Sequence, residues 1–246
     1  MSDEKIYTAA MIVIGSEILS GRTQDENVQY LAQKLTDKGV RLQEVRVVPD
    51  VELAIIEAVQ TLRSKYDYVF TSGGIGPTHD DITSVTLAKA FSVPIEQNEE
   101  AYEILRAYYG EVALTDARLK MAQIPHGALL IPNPVSSAPG FQIENVYVMA
   151  GVPKIMQAMV DYVVAAISGG ALLMSQTVFC TVYESEIAED LERLQHKYPE
   201  VDIGSYPHYT PNGSGINVVL RAINERQLID AVEDVQRIVQ LLERKK

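Results

Sequence analysis

The stretch of this 246-residue sequence best suited to chemistry is "GGIGPTHDD", residues 73–81, which directly follows the apolar run "YDYVFTS". Glycines after a buried strand let backbone N–H groups turn toward a ligand and let an anion approach closely. A helix that starts after such a turn adds its partial positive charge. Gly73, Gly74 and Gly76, with Ser72 and Thr78 beside them, are therefore candidate phosphate-binding residues.

This turn matches neither of the two common phosphate-binding loops. It lacks the Gly-Lys-Ser/Thr of a Walker A loop, and His79 stands where a GxGxxG dinucleotide loop needs its third glycine. His79 itself is either a solvated turn residue or a ligand contact. The sequence thus predicts a phosphate-compatible turn of a less common type.

Two adjacent carboxylates, Asp80 and Asp81, follow the glycines. Aspartate is favoured at a helix N-cap and in the first helical turn, so capping is the alternative role for either residue alone. Only one residue can be the N-cap, however. A carboxylate beside a phosphate-binding turn is a suitable ligand for a hydrated Mg²⁺, so Asp80 and Asp81 are candidate metal ligands.

Further polar residues follow other predicted strands. Glu17 comes after the first strand, Asn27 opens the first long helix, and Asp50 ends the second strand. Capping of the next helix is the alternative role for Asp50, whereas Glu17 interrupts an apolar stretch without an evident capping role. In open parallel sheets ligands bind outside the carboxyl ends of the strands, so these side chains are expected at the same site.

Other polar residues give weaker signals. The loop "SSAPGF", residues 136–141, offers hydroxyls and a glycine, and Ser137 and Gly140 are candidates for a second anion-contacting loop. Arg118 and Lys120 lie in a segment predicted to be helical, where such charges usually face solvent.

The elements that must position these residues alternate between strand and helix. This order predicts a doubly wound, mostly parallel sheet covered by helices on both faces, which is a three-layer α/β/α domain over residues 1–168. Its first half consists of strands at 9–15, 41–48 and 66–72 and helices at 26–39, 51–66 and from near Asp80 to Phe91.

The pattern changes after Ser168-Gly169-Gly170. Before this boundary, residues 98–125 look helical, 128–132 and 146–151 are short strands, and 153–167 is a helix with proline in its first turn. Beyond it, residues 171–246 are predicted to form a small α+β module with strands at 172–183, 201–206 and 216–223 and helices at 185–197 and 225–243.

Composition limits the classes of partner. The net charge of −12 argues against nonspecific nucleic-acid binding and against attraction to an anionic membrane. The single cysteine, Cys180, lies in a strand-like run and is expected in a core, so no disulfide is predicted. No signal peptide and no apolar run long enough to span a membrane is found, which predicts a cytoplasmic protein.

Several motifs together resemble a known family. "GSEIL", "VPD", "TSGGIGPTHDDIT", "SAPGF" and "GVPKIM", in this order, resemble the molybdopterin-binding-like (MoCF) domain of the competence/damage-inducible protein A (CinA) family over residues 6–167. They are closer still to the N-terminal domain of eukaryotic FAD synthase. The later "ESEIAEDL" and "PEVDIGSYP" resemble the small module that follows this domain in CinA proteins.

The resemblance implies that a pterin or nucleotide phosphate binds at the glycine turn and that the motif aspartates hold a divalent metal. It carries over to Gly73, Gly74, Gly76, Thr78, Asp80, Asp81, Glu17, Asn27 and Asp50. The pattern departs at "MAGVPKIM", where Ala150 replaces a proline and Ile155 a glutamate. Neither the amidohydrolase nor the adenylyl-transferase activity found elsewhere in these families is expected of these residues.

The leading hypothesis is a metal-dependent pyrophosphatase that releases AMP from a dinucleotide such as FAD or ADP-ribose. Asp80, Asp81 and Asp50 would be its catalytic residues and Mg²⁺, Mn²⁺ or Co²⁺ its cofactor. One alternative is a module that binds molybdopterin or a related pterin without turnover. The other is a non-catalytic oligomeric scaffold, and family resemblance predicts a homo-oligomer in any case.

Overall fold

The computed structural model describes residues 5–210 and 213–244. The chain divides into two compact units, Met1–Gly170 and Ala171–Lys246. The strands of the first unit are β1 (Tyr7–Ile14), β2 (Val40–Val48), β3 (Tyr68–Ser72), β4 (Ile95–Gln97), β5 (Gln123–Pro125), β6 (Leu129–Ile131), β7 (Gly140–Ile143) and β8 (Val146–Met149). Its helices are α1 (Ser16–Leu19), α2 (Asn27–Asp37), α3 (Glu52–Arg63), α4 (Thr83–Ala90), α5 (Glu99–Tyr109), α6 (Asp116–Leu119) and α7 (Pro153–Ala166).

The main sheet of this unit has the strand order β2-β1-β3-β8-β7-β6. Strands β2, β1, β3 and β8 are parallel, and β7 and β6 are added by antiparallel pairing. A separate antiparallel pair joins β4 to β5. This mostly parallel, helix-covered sheet confirms the predicted fold class.

Strand β1 shows why the sheet has helices on both faces. Ala10 and Ile12 pack with α3, α4 and α5 on one face, while Ala9, Met11 and Val13 pack with α2 and α7 on the other. All five side chains are buried. Because successive side chains of a strand point to opposite faces, a continuous apolar run is what a strand buried on both sides requires.

The structure of this unit differs from the sequence predictions at three places. Residues 98–125 are not continuously helical, because Gly110 adopts a φ of +75° and ends α5. Short 3-10 turns, α6 and β5 follow. The strands β4 and β7 were not predicted, since three or four residues are too few to show a period. The helix expected from near Asp80 begins only at Thr83.

The second unit is a small antiparallel sheet with two helices. It consists of β9 (Met174–Cys180), α8 (Glu184–Lys197), β10 (Asp202–Thr210), β11 (Gly213–Ala222) and α9 (Glu225–Glu243). The strand order is β10-β11-β9, and Cys180 is buried in the core beneath the two helices. Burial raises the pKa of the Cys180 thiol above its ordinary value.

Candidate functional site

A cleft of about 690 Å³ opens at the carboxyl ends of β1, β2, β3 and β8 in the first unit. The strand register brings these ends together, since Ile14 pairs with Val48 and Ser72 pairs with Met149. From β1 the chain passes to β2 on one side and later returns to β3 on the other, which makes this edge the topological switch point. The volume is in the range of small-molecule sites.

The glycine turn forms one wall of this cleft. Gly73 has a φ of +110° and Gly74 a φ of +69°, so both adopt backbone conformations that other residues rarely take. The Gly73 N–H donates to the Met149 carbonyl, and Thr83 donates its N–H to the Gly74 carbonyl and its hydroxyl to the Gly73 carbonyl. These bonds hold the turn in a fixed shape.

Three consecutive N–H groups of this turn remain available for a ligand. Gly74, Ile75 and Gly76 all line the cleft, and none of their N–H groups donates to any residue within 5–210 or 213–244. Backbone N–H groups of this kind bind anions. The Gly73 N–H, by contrast, already donates to the Met149 carbonyl. Gly73 therefore contributes to the shape of the turn and offers no free N–H to a ligand.

Asp80 and Asp81 both line the cleft and are joined through Thr78. The Thr78 hydroxyl lies 2.5 Å from Asp80 Oδ1 and 2.6 Å from Asp81 Oδ2, and the Thr78 N–H donates to Asp81 Oδ2 at 2.8 Å. The hydrogen bond from the Thr78 hydroxyl is the main reason that the pKa of Asp80 lies below its ordinary value. The Thr78 hydroxyl thus stabilises the charged form of the Asp80 carboxyl.

Neither aspartate caps the helix that follows. The N-cap of α4 is Ile82, and no side chain makes a capping hydrogen bond there. The Asp81 carboxylate instead accepts the Thr78 N–H within the preceding turn. His79 is almost fully exposed and is not among the residues lining the cleft.

Glu17 and Asp50 line the same cleft from the ends of β1 and β2. Asp50 Oδ2 accepts hydrogen bonds from the Ser16 N–H at 2.9 Å and from the Ser16 hydroxyl at 3.1 Å. The alternative capping role of Asp50 is not observed, because α3 begins after Val51 without a side-chain cap. The structure thus brings Glu17, Asp50, Asp80 and Asp81 to one cavity.

Two residues that were predicted to contact a ligand, Asn27 and Ser72, are buried behind the turn and do not line the cleft. The Asn27 amide donates to the Ser72 hydroxyl and to the Gly151 carbonyl, both at 2.8 Å. These bonds tie the start of α2 to the ends of β3 and β8. Asn27 and Ser72 therefore support the cleft from behind its wall.

In the loop of residues 136–141, neither of the two residues that were predicted to contact an anion lines the cleft. Ser136 lines the cleft, whereas Ser137 lines a separate cavity of about 310 Å³. Gly140 is buried in β7, where a Cβ would lie 2.3 Å from the Val148 carbonyl oxygen. Close strand packing explains this glycine, and it does not line the cleft.

Two cationic residues at the site were not predicted as functional. Arg118 lines the cleft, where its guanidinium lies 4.1 Å from the centre of the Tyr109 ring. Lys120 donates from Nζ to the Thr78 carbonyl at the back of the turn. No local sequence pattern distinguishes these two residues from ordinary solvent-facing charges, because they lie in a segment that was predicted to be a helix.

Within residues 5–210 and 213–244, no helix is both long and apolar enough to cross a membrane. The same residues contain no cluster of three or more His, Cys, Asp or Glu side chains arranged as a metal site.

Two family models match the chain, one for each unit. Residues 10–168 match the family described as "Probable molybdopterin binding domain". Residues 172–242 match the family described as the middle domain of FAD synthase. The first match alone covers more than half of the chain.

Individual relatives agree with the family models. A protein of Pyrobaculum calidifontis is 36% identical over 211 residues, which are 81% of this chain and 80% of the relative. A protein of Clostridium beijerinckii named as competence-damage inducible is 34% identical over 87% of this chain and 53% of its own length. The crystal structure of CinA from Thermoplasma acidophilum, a protein of unknown function, matches with a TM-score of 0.60 and 36% identity. That match covers 63% of this chain and 94% of the CinA chain. The chain belongs to the CinA-like molybdopterin-binding-domain (MoCF) family.

Proposed function

We propose that the cleft hydrolyses the pyrophosphate of a dinucleotide such as FAD or ADP-ribose and releases AMP with the help of a divalent metal ion. The observation that carries the proposal is the adjacency of two carboxylates, Asp80 and Asp81, to the three unpaired N–H groups of Gly74, Ile75 and Gly76. Oxygen ligands for a metal and N–H donors for a phosphate thus lie on one short turn.

The residues present fit a hard cation. Two adjacent carboxylates, those of Asp80 and Asp81, line the cleft, the Asp80 side chain is 65% exposed, and its pKa is lowered chiefly by the Thr78 hydroxyl. Mg²⁺ commonly binds one or two carboxylates together with substrate phosphates and water. Asp80 and Asp81 would therefore hold Mg²⁺, Mn²⁺ or Co²⁺ against a bound phosphate. Such an ion, when bound, would polarise the phosphoanhydride and lower the pKa of an attacking water.

The chain's own groups account for the remaining requirements. The N–H groups of Gly74, Ile75 and Gly76 hold one phosphate in place. A water oxygen forms a new bond to one phosphorus as the bridging P–O bond of the anhydride breaks, and the water gives up a proton. The bridging oxygen leaves with the electron pair of the broken bond on the other phosphate, so the products are AMP and a second phosphate monoester. Asp50 is the proposed acceptor of that proton, since its Oδ1 makes no hydrogen bond to any described residue and the side chain lines the cleft.

The test is AMP release from FAD and from ADP-ribose by the purified chain, with Mg²⁺, Mn²⁺ or Co²⁺ and with EDTA. We expect metal-dependent release that Asp81→Asn abolishes. Asp37→Asn, on the exposed end of α2, is the matched control and should leave the rate unchanged. Wild-type activity in Asp81→Asn, or activity that persists in EDTA, would rule out this mechanism.

The second candidate function is binding of molybdopterin or a related pterin without turnover. It is favoured by the description of the family that matches residues 10–168. This function predicts saturable pterin binding that survives chelation, with no AMP release under any metal. If the chain binds neither nucleotide nor pterin but forms oligomers, the result would instead support the hypothesis of a non-catalytic oligomeric scaffold.

A further inference from the structure

Arg118 is the cationic side chain of an otherwise acidic cleft. Four carboxylates line this cavity, those of Glu17, Asp50, Asp80 and Asp81. Among the described residues that line it, Arg118 is the one lysine or arginine. The pyrophosphate of FAD or ADP-ribose carries two negative charges, and the four carboxylates of the cleft repel it. A positive side chain in the same cleft offsets this repulsion.

The Arg118 side chain is held in position without being neutralised. Its guanidinium packs on the Tyr109 ring at 4.1 Å, and Nη1 donates to the Ala113 carbonyl. The Thr115 hydroxyl fixes the backbone by capping the first turn of α6. Arg118 nevertheless forms no ion pair with any residue of the described chain. A guanidinium has five N–H donors, so most of them remain for a ligand.

Lys120 does not compete for this role. Its Nζ already donates to the Thr78 carbonyl, and it lines a smaller cavity behind Asp81 instead of the main cleft. Lys120 therefore stabilises the turn, whereas Arg118 lines the space that a ligand would occupy.

We infer that Arg118 binds the second phosphate of a diphosphate ligand, the one that does not lie on the glycine turn, and so makes the cleft select diphosphates over monophosphates. This inference rests on the proposed function for the chemical class of the ligand. Guanidinium groups bind phosphate oxygens through two parallel hydrogen bonds. Stacking on Tyr109 pre-orients the group, which reduces the entropy lost on binding.

The test uses inorganic pyrophosphate and inorganic phosphate as probes, with Mg²⁺ present and with binding measured by calorimetry. Arg118→Met should weaken pyrophosphate binding by roughly 10- to 100-fold, the usual effect of losing a charge-assisted hydrogen bond. Binding of phosphate at the glycine turn should change less than about 2-fold. Arg118→Lys, which keeps the charge but not the planar pair of donors, should fall between the wild type and Arg118→Met.

Arg63→Met is the matched control. Arg63 also stacks on an aromatic ring, that of Phe91 at 4.2 Å, but it does not line the cleft. This variant should bind both anions like the wild type. Thermal unfolding of each variant establishes that it is folded before binding is compared.

The outcomes separate this inference from the proposed function. Unchanged pyrophosphate affinity in Arg118→Met would overturn the inference, even if the wild type releases AMP. Equal loss of phosphate and pyrophosphate binding would also overturn it, because selection between them would then not depend on Arg118. A selective loss without AMP release by the wild type would support the inference and reject the proposed hydrolysis.

Discussion

The Asn27 amide donates to the Ser72 hydroxyl across 2.8 Å and thereby joins the first residue of α2 to the last residue of β3. The same amide donates to the Gly151 carbonyl, and Asn27 is only 3% exposed. The glycine turn starts at the next residue after Ser72. One buried side chain therefore connects three segments that form the base of the cleft.

We expect Asn27→Ala to destabilise the first unit by about 2 kcal/mol, because the Ser72 hydroxyl and the Gly151 carbonyl would lose a buried donor. Urea unfolding measures this difference. Gln33→Ala, on the exposed side of the same helix, is the control and should change stability by less than about 0.5 kcal/mol. Equal stability of Asn27→Ala and the wild type would show that water replaces the lost donor.

Gly74→Ala should be far more harmful than Gly21→Ala. The two glycines have nearly the same φ, +69° and +71°. A Cβ on Gly74 would lie 2.1 Å from Thr83 Oγ1, whereas one on Gly21 would meet nothing within 4 Å. Gly21→Ala should cost about 1 kcal/mol of backbone strain, and Gly74→Ala about 3 kcal/mol or more once the overlap is added. Similar unfolding free energies for the two variants would contradict this account.

Substitution of Thr78 should raise the pKa of Asp80 more than substitution of Lys120. The Thr78 hydroxyl is the main cause of the lowered Asp80 pKa, and the charge of Lys120 makes a smaller contribution of the same sign. Carboxyl-carbon NMR titrations of Thr78→Val and Lys120→Met measure the two effects. Lys89→Met, whose partner Glu52 lies outside the cleft, is the control and should leave the Asp80 pKa unchanged. A larger shift in Lys120→Met would reverse the assignment.

Glu44 makes the stability of the first unit depend on pH in the acidic range. Hydrogen bonds from Lys65, Tyr66 and Arg46 lower its pKa from 4.5 to about 2. Since the folded pKa is the lower one, the stabilisation is complete above pH 4.5 and is lost as pH falls toward 2. Glu44→Gln should therefore be less stable than the wild type at pH 7, with the difference shrinking between pH 4.5 and 2. Glu57→Gln, on an exposed helix position, should show no such convergence.

Local sequence patterns were enough to predict the fold and one wall of the site. The apolar run of β1 and the alternation of strands with amphipathic helices predict a parallel sheet, because both patterns depend on residues close in the chain. The glycines at 73–76 and the adjacent Asp80 and Asp81 lie within nine residues. Their mutual proximity therefore follows from chain connectivity alone.

Only the tertiary structure decided which other side chains share the cleft. Glu17 and Asp50 reach it through the strand register. Asn27 and Gly140, equally plausible from their types, do not: the Asn27 amide is engaged in buried hydrogen bonds, and Gly140 is required by close strand packing. Arg118 enters because Gly110 ends α5 and redirects the segment that follows. A residue's type and neighbours determine what chemistry it offers, but the direction of its side chain depends on contacts between distant segments, and those are made only when the chain folds.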